Sequence, residues 1–334
     1  MVIVFKSITP APQVSTMPRL SLVVLFGTFL TKLWTPAHGF YVDHGNPYDE
    51  GNLEVLTLSI SQNDAPMLTK VYYPTRIDTY AVLFFTGGYQ GDIPSELYSD
   101  VLVRVASHGF VVIGVDYMPM VTVQANVRDR TQRLGADHTQ KYFEELRWVT
   151  KHLEGRIAKQ LNRTGLVPDF NHLAIGCHSA GCDPLVKMTL QNHTFSKAAL
   201  LLEPFSFNYA TPVTFKMPAF ILGTELSTQP HACVRPGHGY NHFYNMRNCP
   251  RMLMEVKGHG HCDIYNETWF KACQLTHFCK TNPDVDINKY HKFIQGISAA
   301  FLTTTLQGRD KLQYITNTTA LPVELLEFKI DMDC

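Results

Sequence analysis

The sequence has no excess charge of either sign. Its 334 residues include 29 Lys and Arg and 29 Asp and Glu, so the formal net charge is zero at pH 7 with His neutral. Because it also has no basic stripe and no Arg-rich segment, we expect no nucleic-acid partner. It has no internal repeat, and 45% of its residues are hydrophobic against 17% charged, a balance typical of a globular rather than a disordered protein.

The amino-terminal region lacks an apolar run long enough to span a bilayer comfortably, because Leu20–Leu30 has too few residues. Arg19 precedes this run, and the small-x-small sequence Ala37-His38-Gly39 follows it, as in a secretory signal peptide. We therefore predict that residues 1–39 are a signal peptide. Met17 is an alternative start, since residues 1–16 add nothing that a signal requires.

The competing interpretation of the run is an uncleaved signal anchor. Lys32 and Pro36 argue against an anchor because they end the run early, so no stable membrane span is expected. Four Asn-x-Ser/Thr sequons also fit a chain that is secreted or held in the lumen of the secretory pathway. The sequon asparagines, which are predicted glycosylation sites, are Asn162, Asn192, Asn266 and Asn317.

The chain has eight cysteines but no Cys-x-x-Cys pair, and their spacing does not match a zinc ribbon. Five cysteines lie between Cys233 and Cys279, which in an oxidising compartment predicts disulfides. Cys233 with Cys249 is one candidate pair, and it would close a loop worth roughly 3 kcal/mol of chain entropy. Cys273 with Cys279 is the next candidate pair, although sequence alone does not determine the connectivity.

A serine follows a short apolar segment in LAIGCHSAGC, Leu173–Cys182. Small residues, Ala180 and Gly181, come directly after Ser179. This is the layout of the nucleophile elbow of an α/β-hydrolase, where a sharp strand-to-helix turn exposes the serine hydroxyl. Cys177 replaces the usual glycine, a modest departure because cysteine is also small. Such short patterns also occur by chance, but the flanking strand and apolar helical residues favour Ser179 as a nucleophile.

Apolar segments alternate with helical patterns along the rest of the chain. This alternation predicts a mostly parallel sheet with helices on both faces, here a single catalytic domain of α/β-hydrolase fold over residues 40–334. Helices are predicted at Leu97–Ser107 and at residues 142–157 and 290–301. Besides the elbow strand, the predicted strands are residues 53–60, Thr69–Tyr73, Tyr80–Phe85, Phe110–Val115, Lys197–Leu202, Pro218–Leu222 and Met252–Val256.

A serine nucleophile needs a base to take its proton and an acid to orient that base. In this fold both lie on loops after later strands. His259 and His261 follow Met252–Val256 in a glycine-rich loop, which is the expected place for the base. Glu203 and Glu225 each follow a predicted strand, so either can supply the acid.

Two backbone N–H groups are expected to bind the oxyanion that forms during acyl transfer. One belongs to Ala180, directly after the nucleophile. The other is expected from the loop after Tyr80–Phe85, where Gly88 is the predicted donor and Tyr89 the alternative. Farther along the chain, Leu226–Pro250 is either a wall of the substrate pocket or a disulfide-tied surface loop.

From about Gly51 to Leu306 the chain resembles the chlorophyllases of plants and their animal relatives. The similar segments are VLFFTGGYQ, VASHGFVVIGVDY, VPDFNHLAIGCHSAG, LLEPF, GTELSTQPHACV, NHFYN and GHCDI. The resemblance implies that His261 is the base, because the family's histidine is followed by x-Asp. It also implies that Glu203 in LLEPF is the acid, with Glu225 as the alternative.

The chain departs from the family pattern at several of these positions. Ala180 replaces the Arg after the nucleophile, Cys177 and Cys182 replace glycines, and Thr86 replaces a histidine of the oxyanion loop. The family's acid is Asp, whereas Glu203 is one methylene longer. These changes bear on the substrate more than on the type of reaction.

We therefore predict a secreted serine carboxylic-ester hydrolase that needs no metal and no organic cofactor. The resemblance implies a small apolar ester as substrate, either chlorophyll, cleaved to chlorophyllide and phytol, or another ester. One alternative is a phospholipase similar to platelet-activating-factor acetylhydrolase, which shares the elbow and the triad order. Another is a non-catalytic hydrolase-fold protein that binds a lipid or pigment.

Overall fold

The computed structural model describes residues 40–117, 137–206, 217–229, 233–234, 237–245 and 250–332, and the backbone of residues 2–6, 214–215 and 247–248. The predicted signal run Leu20–Leu30, the alternative start Met17 and the predicted cleavage site at Gly39 lie outside the described residues, as does Cys249.

Twelve strands are present in the described chain, and ten of them form one sheet in the order β1-β12-β11-β9-β7-β6-β4-β5-β3-β2. The other two, β8 and β10, pair with each other in parallel. In chain order the strands are β1 Val2–Lys6, β2 Val55–Ile60, β3 Leu68–Pro74, β4 Thr79–Thr86, β5 Phe110–Asp116, β6 Val167–His178, β7 Ala198–Leu202, β8 Thr214–Phe215, β9 Ala219–Thr224, β10 Arg247–Asn248, β11 Arg251–Val256 and β12 Leu325–Asp331.

Helices cover both faces of the sheet. The α-helices of more than one turn are α1 Ser99–Ser107, α2 Thr139–Leu161, α3 Cys182–Gln191, α4 Tyr240–Asn245, α5 Glu267–Thr276 and α6 Ile287–Leu306, and a short α7, Gln313–Thr316, follows them. No helix in the described part of the chain is both long and apolar enough to cross a membrane.

The six central strands, β5, β4, β6, β7, β9 and β11, run parallel, and the strands at the two edges pair antiparallel. The predicted α/β architecture is therefore confirmed. Because parallel strands end at the same edge of the sheet, the loops after β4, β6, β7, β9 and β11 meet there. Ser179, Glu203, Glu225 and His261 all belong to these loops.

The hydrophobic core has two layers, one on each face of the sheet. Leu83 and Phe85 of β4 face the layer that contains residues of α1 and α6. Val82 and Phe84, the alternate residues, face the layer that contains residues of α2 and α3. This alternation explains why Thr79–Thr86 is a continuous apolar run, since a strand covered on both faces needs apolar side chains in both directions.

Several elements were not predicted from the sequence, among them β12 and α5. Strand β12 lies at an antiparallel edge and is only partly buried, so its sequence LLEFKID lacks the continuous apolar run of the central strands. Helix α5 buries only Phe270 and Cys273, and it is capped by the preceding Asn266, whose side chain accepts a hydrogen bond from Trp269 N–H. Its short apolar face gives a weak periodic signal.

Candidate active site

The predicted elbow is formed where β6 ends. Ser179 follows His178, the last residue of that strand, and has a positive φ of 54°. A non-glycine residue in this region is strained, and such strain is typical of a nucleophile held on a sharp turn. Gly181 lets the elbow pack against the loop after β4, because a Cβ there would lie 2.1 Å from the carbonyl oxygen of Gly87.

A disulfide brackets the elbow. Cys177 and Cys182, the two cysteines that replace the family's glycines, are joined with a Cα–Cα distance of 5.0 Å, and both are fully buried. From the sequence these residues are small substitutes for glycine, and the bond between them was not predicted. Their separation of five residues around a tight turn is the signal that could have revealed it, since cystine Cα atoms are usually 4.4–6.8 Å apart.

The structure brings the predicted nucleophile, base and acid together. His261 Nε2 lies 2.8 Å from Ser179 Oγ, and His261 Nδ1 lies 3.2 Å from Glu203 Oε2. All three residues are buried, with 8%, 4% and 1% exposure for Ser179, His261 and Glu203. The Ser227 hydroxyl donates a second hydrogen bond to the same Glu203 oxygen, which helps to hold the carboxylate toward the imidazole.

The alternative acid and the neighbouring histidine have other partners. Glu225 Oε2 accepts a hydrogen bond from Gly258 N–H at 2.7 Å, so this carboxylate stabilises the turn after β11. His259 Nδ1 lies 2.9 Å from Asp263 Oδ2, and the His259 ring stacks on Tyr290 at a centroid distance of 4.3 Å. Both arrangements shape the loop that carries His261.

The prediction that Gly88 is an oxyanion donor is wrong. Its N–H donates a hydrogen bond to Tyr98 Oη at 2.9 Å and therefore does not point toward the substrate. Tyr89, the other candidate, lines the same cavity as Ser179 and Ala180 and has a positive φ of 51°. Sequence reasoning could not separate the two N–H groups, because the choice depends on a tyrosine ten residues away.

His178, which immediately precedes the nucleophile, is part of a buried hydrogen-bond chain that sequence reasoning missed. Its Nε2 lies 3.2 Å from the carbonyl oxygen of His261 and therefore donates, because a carbonyl only accepts. Its Nδ1 lies 2.8 Å from Tyr98 Oη. Burial, with a smaller contribution from His261, lowers the pKa of His178 well below its usual value of 6.5, so the ring is neutral and Nδ1 accepts from the tyrosine. This series of hydrogen bonds therefore connects the Gly88 N–H group, through Tyr98 and His178, to the backbone carbonyl group of the base His261.

A cavity of 30 Å³ opens at Ser179. Its walls include Cys233 from the loop Leu226–Pro250, which favours that loop as a wall of the pocket rather than as a surface loop alone. Val234 in the same loop belongs to a small apolar cluster with Ala180 and Phe205, next to the nucleophile.

The predicted disulfide pairings are wrong. Cys233 is joined to Cys279, not to Cys249, and Cys273 is joined to Cys262, not to Cys279. Sequence proximity misled the prediction, because the loops after β9 and β11 meet at one edge of the sheet and bring distant cysteines together. The sulfur atoms of Cys262, Cys273 and Cys279 lie within 4.8 Å of one another, but each is in a disulfide and offers no thiolate to a metal.

Three of the four sequon asparagines, Asn162, Asn192 and Asn317, are exposed. Asn266 is half-buried and caps α5, and its amide nitrogen donates to the carbonyl oxygen of Glu96. That amide nitrogen is the atom to which a glycan would be attached, so Asn266 is the least accessible of the four.

Known proteins with similar sequences are chlorophyllases and cutinases. The sequence profile of the Chlorophyllase family matches residues 44–331. Chlorophyllase-2 from Arabidopsis thaliana is 21% identical over 302 residues, covering 80% of this chain and 87% of that protein. Chlorophyllase-1 from the same plant is 22% identical over 291 residues, covering 78% and 84%. A cutinase from Thermobifida fusca (strain YX) is 25% identical over 274 residues, covering 77% and 76%.

Proposed function

The chain belongs to the chlorophyllase family of α/β-hydrolases, which are carboxylic-ester hydrolases, and on that basis we propose that it cleaves esters with Ser179, His261 and Glu203 as its catalytic triad. The observation that supports this most strongly is the continuous hydrogen-bonded series from Ser179 Oγ through the imidazole to Glu203. The family resemblance inferred from the sequence is confirmed.

In the proposed reaction, Ser179 Oγ attacks the carbonyl carbon of the ester while its proton passes to His261 Nε2. Glu203 holds the imidazole in the tautomer with Nδ1 protonated and stabilises the imidazolium that forms. The bond to the alcohol oxygen then breaks, and His261 returns the proton to the leaving alkoxide. Water attacks the resulting acyl-enzyme by the same route and releases the acid and Ser179.

The oxyanion of the tetrahedral intermediate is assigned to the backbone N–H groups of Ala180 and Tyr89. Both residues line the cavity at Ser179, whereas the Gly88 N–H is directed to Tyr98. A pre-positioned pair of donors stabilises charge that develops in the transition state without reorganising at the moment of reaction.

The proposed substrate is an ester with an apolar component, and the phytyl ester of chlorophyll is one example to be tested. Apolar and aromatic residues, Phe205, Tyr265 and Phe278, dominate the surroundings of Ser179.

We also propose that residues 1–39 are removed as a signal peptide and that the mature protein is secreted. All six described cysteines are in disulfides, which persist in oxidising compartments. Removal of residues 1–39 would take β1 from the edge of the sheet and leave the strands that carry the site. Amino-terminal sequencing of secreted protein should begin near Phe40, and an intact residue 1 would contradict cleavage.

The activity is tested with purified protein and two substrates, p-nitrophenyl acetate and chlorophyll a. We expect hydrolysis of the acetate and a loss of at least about a thousandfold in kcat/KM for Ser179→Ala. The matched control is Ser59→Ala, an exposed serine on β2 that should leave kcat/KM unchanged. Full activity of Ser179→Ala would remove Ser179 from the mechanism.

A further inference from the structure

The backbone that carries the proposed oxyanion donor Tyr89 has a strained conformation. We call residues 87–91 the Tyr89 turn. Tyr89 and Gln90 have positive φ angles of 51° and 57°, a region that non-glycine residues rarely adopt. Such a conformation persists only where the surrounding structure fixes it. The contacts that hold the Tyr89 turn therefore determine where the Tyr89 N–H group points.

Two buried tyrosine side chains bond to the Tyr89 turn, one on each side of Tyr89. Tyr98 Oη accepts a hydrogen bond from Gly88 N–H at 2.9 Å, directly before Tyr89. Tyr142 Oη donates a hydrogen bond to the carbonyl oxygen of Gln90 at 2.8 Å, directly after Tyr89. The two hydroxyl groups therefore fix the backbone before and after the proposed donor.

The two tyrosines reach the turn from opposite faces of the sheet. Tyr98 ends the short 3-10 helix Ser95–Tyr98 and belongs to the core layer that contains residues of α1 and α6. Tyr142 lies on α2 and belongs to the other core layer. Their side chains are 1% and 0% exposed, so the packing of both layers fixes their positions. Gly91 makes room for one of them, because a Cβ there would lie 2.6 Å from Tyr142 Oη.

The direction of the hydrogen bonds to Tyr142 follows from its partners. The carbonyl group of Gln90 only accepts, so Tyr142 donates to it, and the Thr86 hydroxyl, 2.9 Å from Tyr142 Oη, can donate to the tyrosine in turn. Burial raises the pKa of both Tyr98 and Tyr142 above the usual value of 10, so both hydroxyl groups keep their protons near neutral pH. Thr86 replaces a histidine of the family pattern, so the contact between Thr86 and Tyr142 is a feature of this chain.

From these contacts we propose that Tyr98 and Tyr142 are positioning residues for ester hydrolysis, because their hydroxyl groups hold the Tyr89 turn with the Tyr89 N–H group in place to donate to the oxyanion. This inference rests on the proposed esterase function and extends it to two side chains that do not line the cavity at Ser179. A donor that is fixed in advance stabilises the charge of the transition state without reorganising during the reaction.

The test compares two substrates that differ in their demand on the oxyanion donors. The negative charge develops on oxygen in p-nitrophenyl acetate and on sulfur, a weaker hydrogen-bond acceptor, in O-(p-nitrophenyl) thionoacetate. In Tyr142→Phe the ratio of kcat/KM for the acetate over that for the thionoacetate should fall by about tenfold, less than the roughly hundredfold to thousandfold cost of losing an oxyanion donor completely. Tyr98→Phe should lower the ratio as well. General damage to the fold would lower both rates by the same factor and leave the ratio unchanged.

Tyr80→Phe is the matched control. Tyr80 is 0% exposed, and its hydroxyl donates to the carbonyl oxygen of Arg76 at 2.8 Å, at the amino end of β4 and therefore away from the Tyr89 turn. This variant should keep the wild-type ratio. Thr86→Val removes the hydroxyl group beside Tyr142 Oη and should lower the ratio by a smaller factor, which provides a second test if Tyr142→Phe does not fold. An unchanged ratio in both Tyr98→Phe and Tyr142→Phe would overturn the inference.

Amide hydrogen exchange separates this inference from the proposed function, because it needs no substrate. Peptides that cover residues 87–91 should exchange about two- to tenfold faster in Tyr98→Phe and Tyr142→Phe than in wild type, the factor that corresponds to the net contribution of one hydrogen bond. Tyr80→Phe should exchange there at the wild-type rate. Faster exchange in a protein that hydrolyses no ester would contradict the esterase function alone. Ester hydrolysis with an unchanged substrate ratio and unchanged exchange in both variants would contradict the positioning role alone.

Discussion

Replacement of Glu203 by glutamine tests the assignment of the triad acid. The carboxylate accepts hydrogen bonds from the Ser227 hydroxyl and from His261 Nδ1. In Glu203→Gln the amide oxygen can take the position of Oε2 and still accept from both donors, but the side chain carries no negative charge. The imidazolium that forms when His261 takes the proton of Ser179 then has no carboxylate to stabilise it.

The expected loss follows from that missing charge. It is about a hundredfold to ten-thousandfold in kcat, the upper figure being that of the equivalent change in a serine-protease triad, and corresponds to about 3–5 kcal/mol of transition-state stabilisation. KM should change little, because Glu203 is 1% exposed and is not among the residues that line the cavity at Ser179.

Glu225→Gln is the matched control, since it makes the same chemical change on the neighbouring loop. Its amide oxygen can still accept from Gly258 N–H, so kcat should stay within about threefold of wild type. Initial rates of p-nitrophenyl acetate hydrolysis measure both variants. An active Glu203→Gln together with an inactive Glu225→Gln would refute the assignment and transfer the acid role to Glu225.

Three further predictions concern the buried surroundings of the site. Burial lowers the pKa of His178 well below 6.5, so the unfolded chain takes up the proton first as the pH falls. The free energy of unfolding of wild type should therefore decrease by about 1.4 kcal/mol per pH unit below pH 6.5 relative to that of His178→Gln. Urea unfolding at pH 7 and pH 5 measures this, and an equal change of the free energy in both proteins would refute it. Tyr98→Phe leaves the Gly88 N–H and His178 Nδ1 without their partner and should cost about 1–3 kcal/mol of stability in urea unfolding; a change below about 0.5 kcal/mol would contradict the hydrogen-bond chain. Replacing both cysteines of a disulfide by serine should reduce the free energy of unfolding by an amount that grows with the loop that the disulfide closes. The expected losses are about 4, 3 and 2 kcal/mol for loops of 46, 11 and 5 residues, which are closed by Cys233–Cys279, Cys262–Cys273 and Cys177–Cys182. Thermal unfolding measures the three losses, and the reverse order of their sizes would rule out the loop-entropy explanation.

The central strands and the triad residues were predictable from the sequence for a definite reason. A strand buried on both faces must be continuously apolar, as in Thr79–Thr86, and an elbow needs small residues around its serine, as at Ala180 and Gly181. The choice between His259 and His261 needed the family resemblance, because both histidines lie in the same glycine-rich loop. The choice between Glu203 and Glu225 also needed it, because each glutamate follows a predicted strand.

Contacts between loops were not predictable. The partner of Cys233 is 46 residues away, and the Gly88 N–H is taken by Tyr98, so both outcomes depend on how separate loops pack at the sheet edge. The edge strand β12 and helix α5 were missed because partial burial weakens the hydrophobic pattern on which such predictions depend.

A fluorophosphonate probe, with the adduct mapped by mass spectrometry, tests whether Ser179 is an activated nucleophile. We expect a covalent adduct on Ser179 in the folded wild-type protein and strongly reduced labelling in His261→Ala. No adduct on folded protein, or an adduct on a different serine, would contradict it.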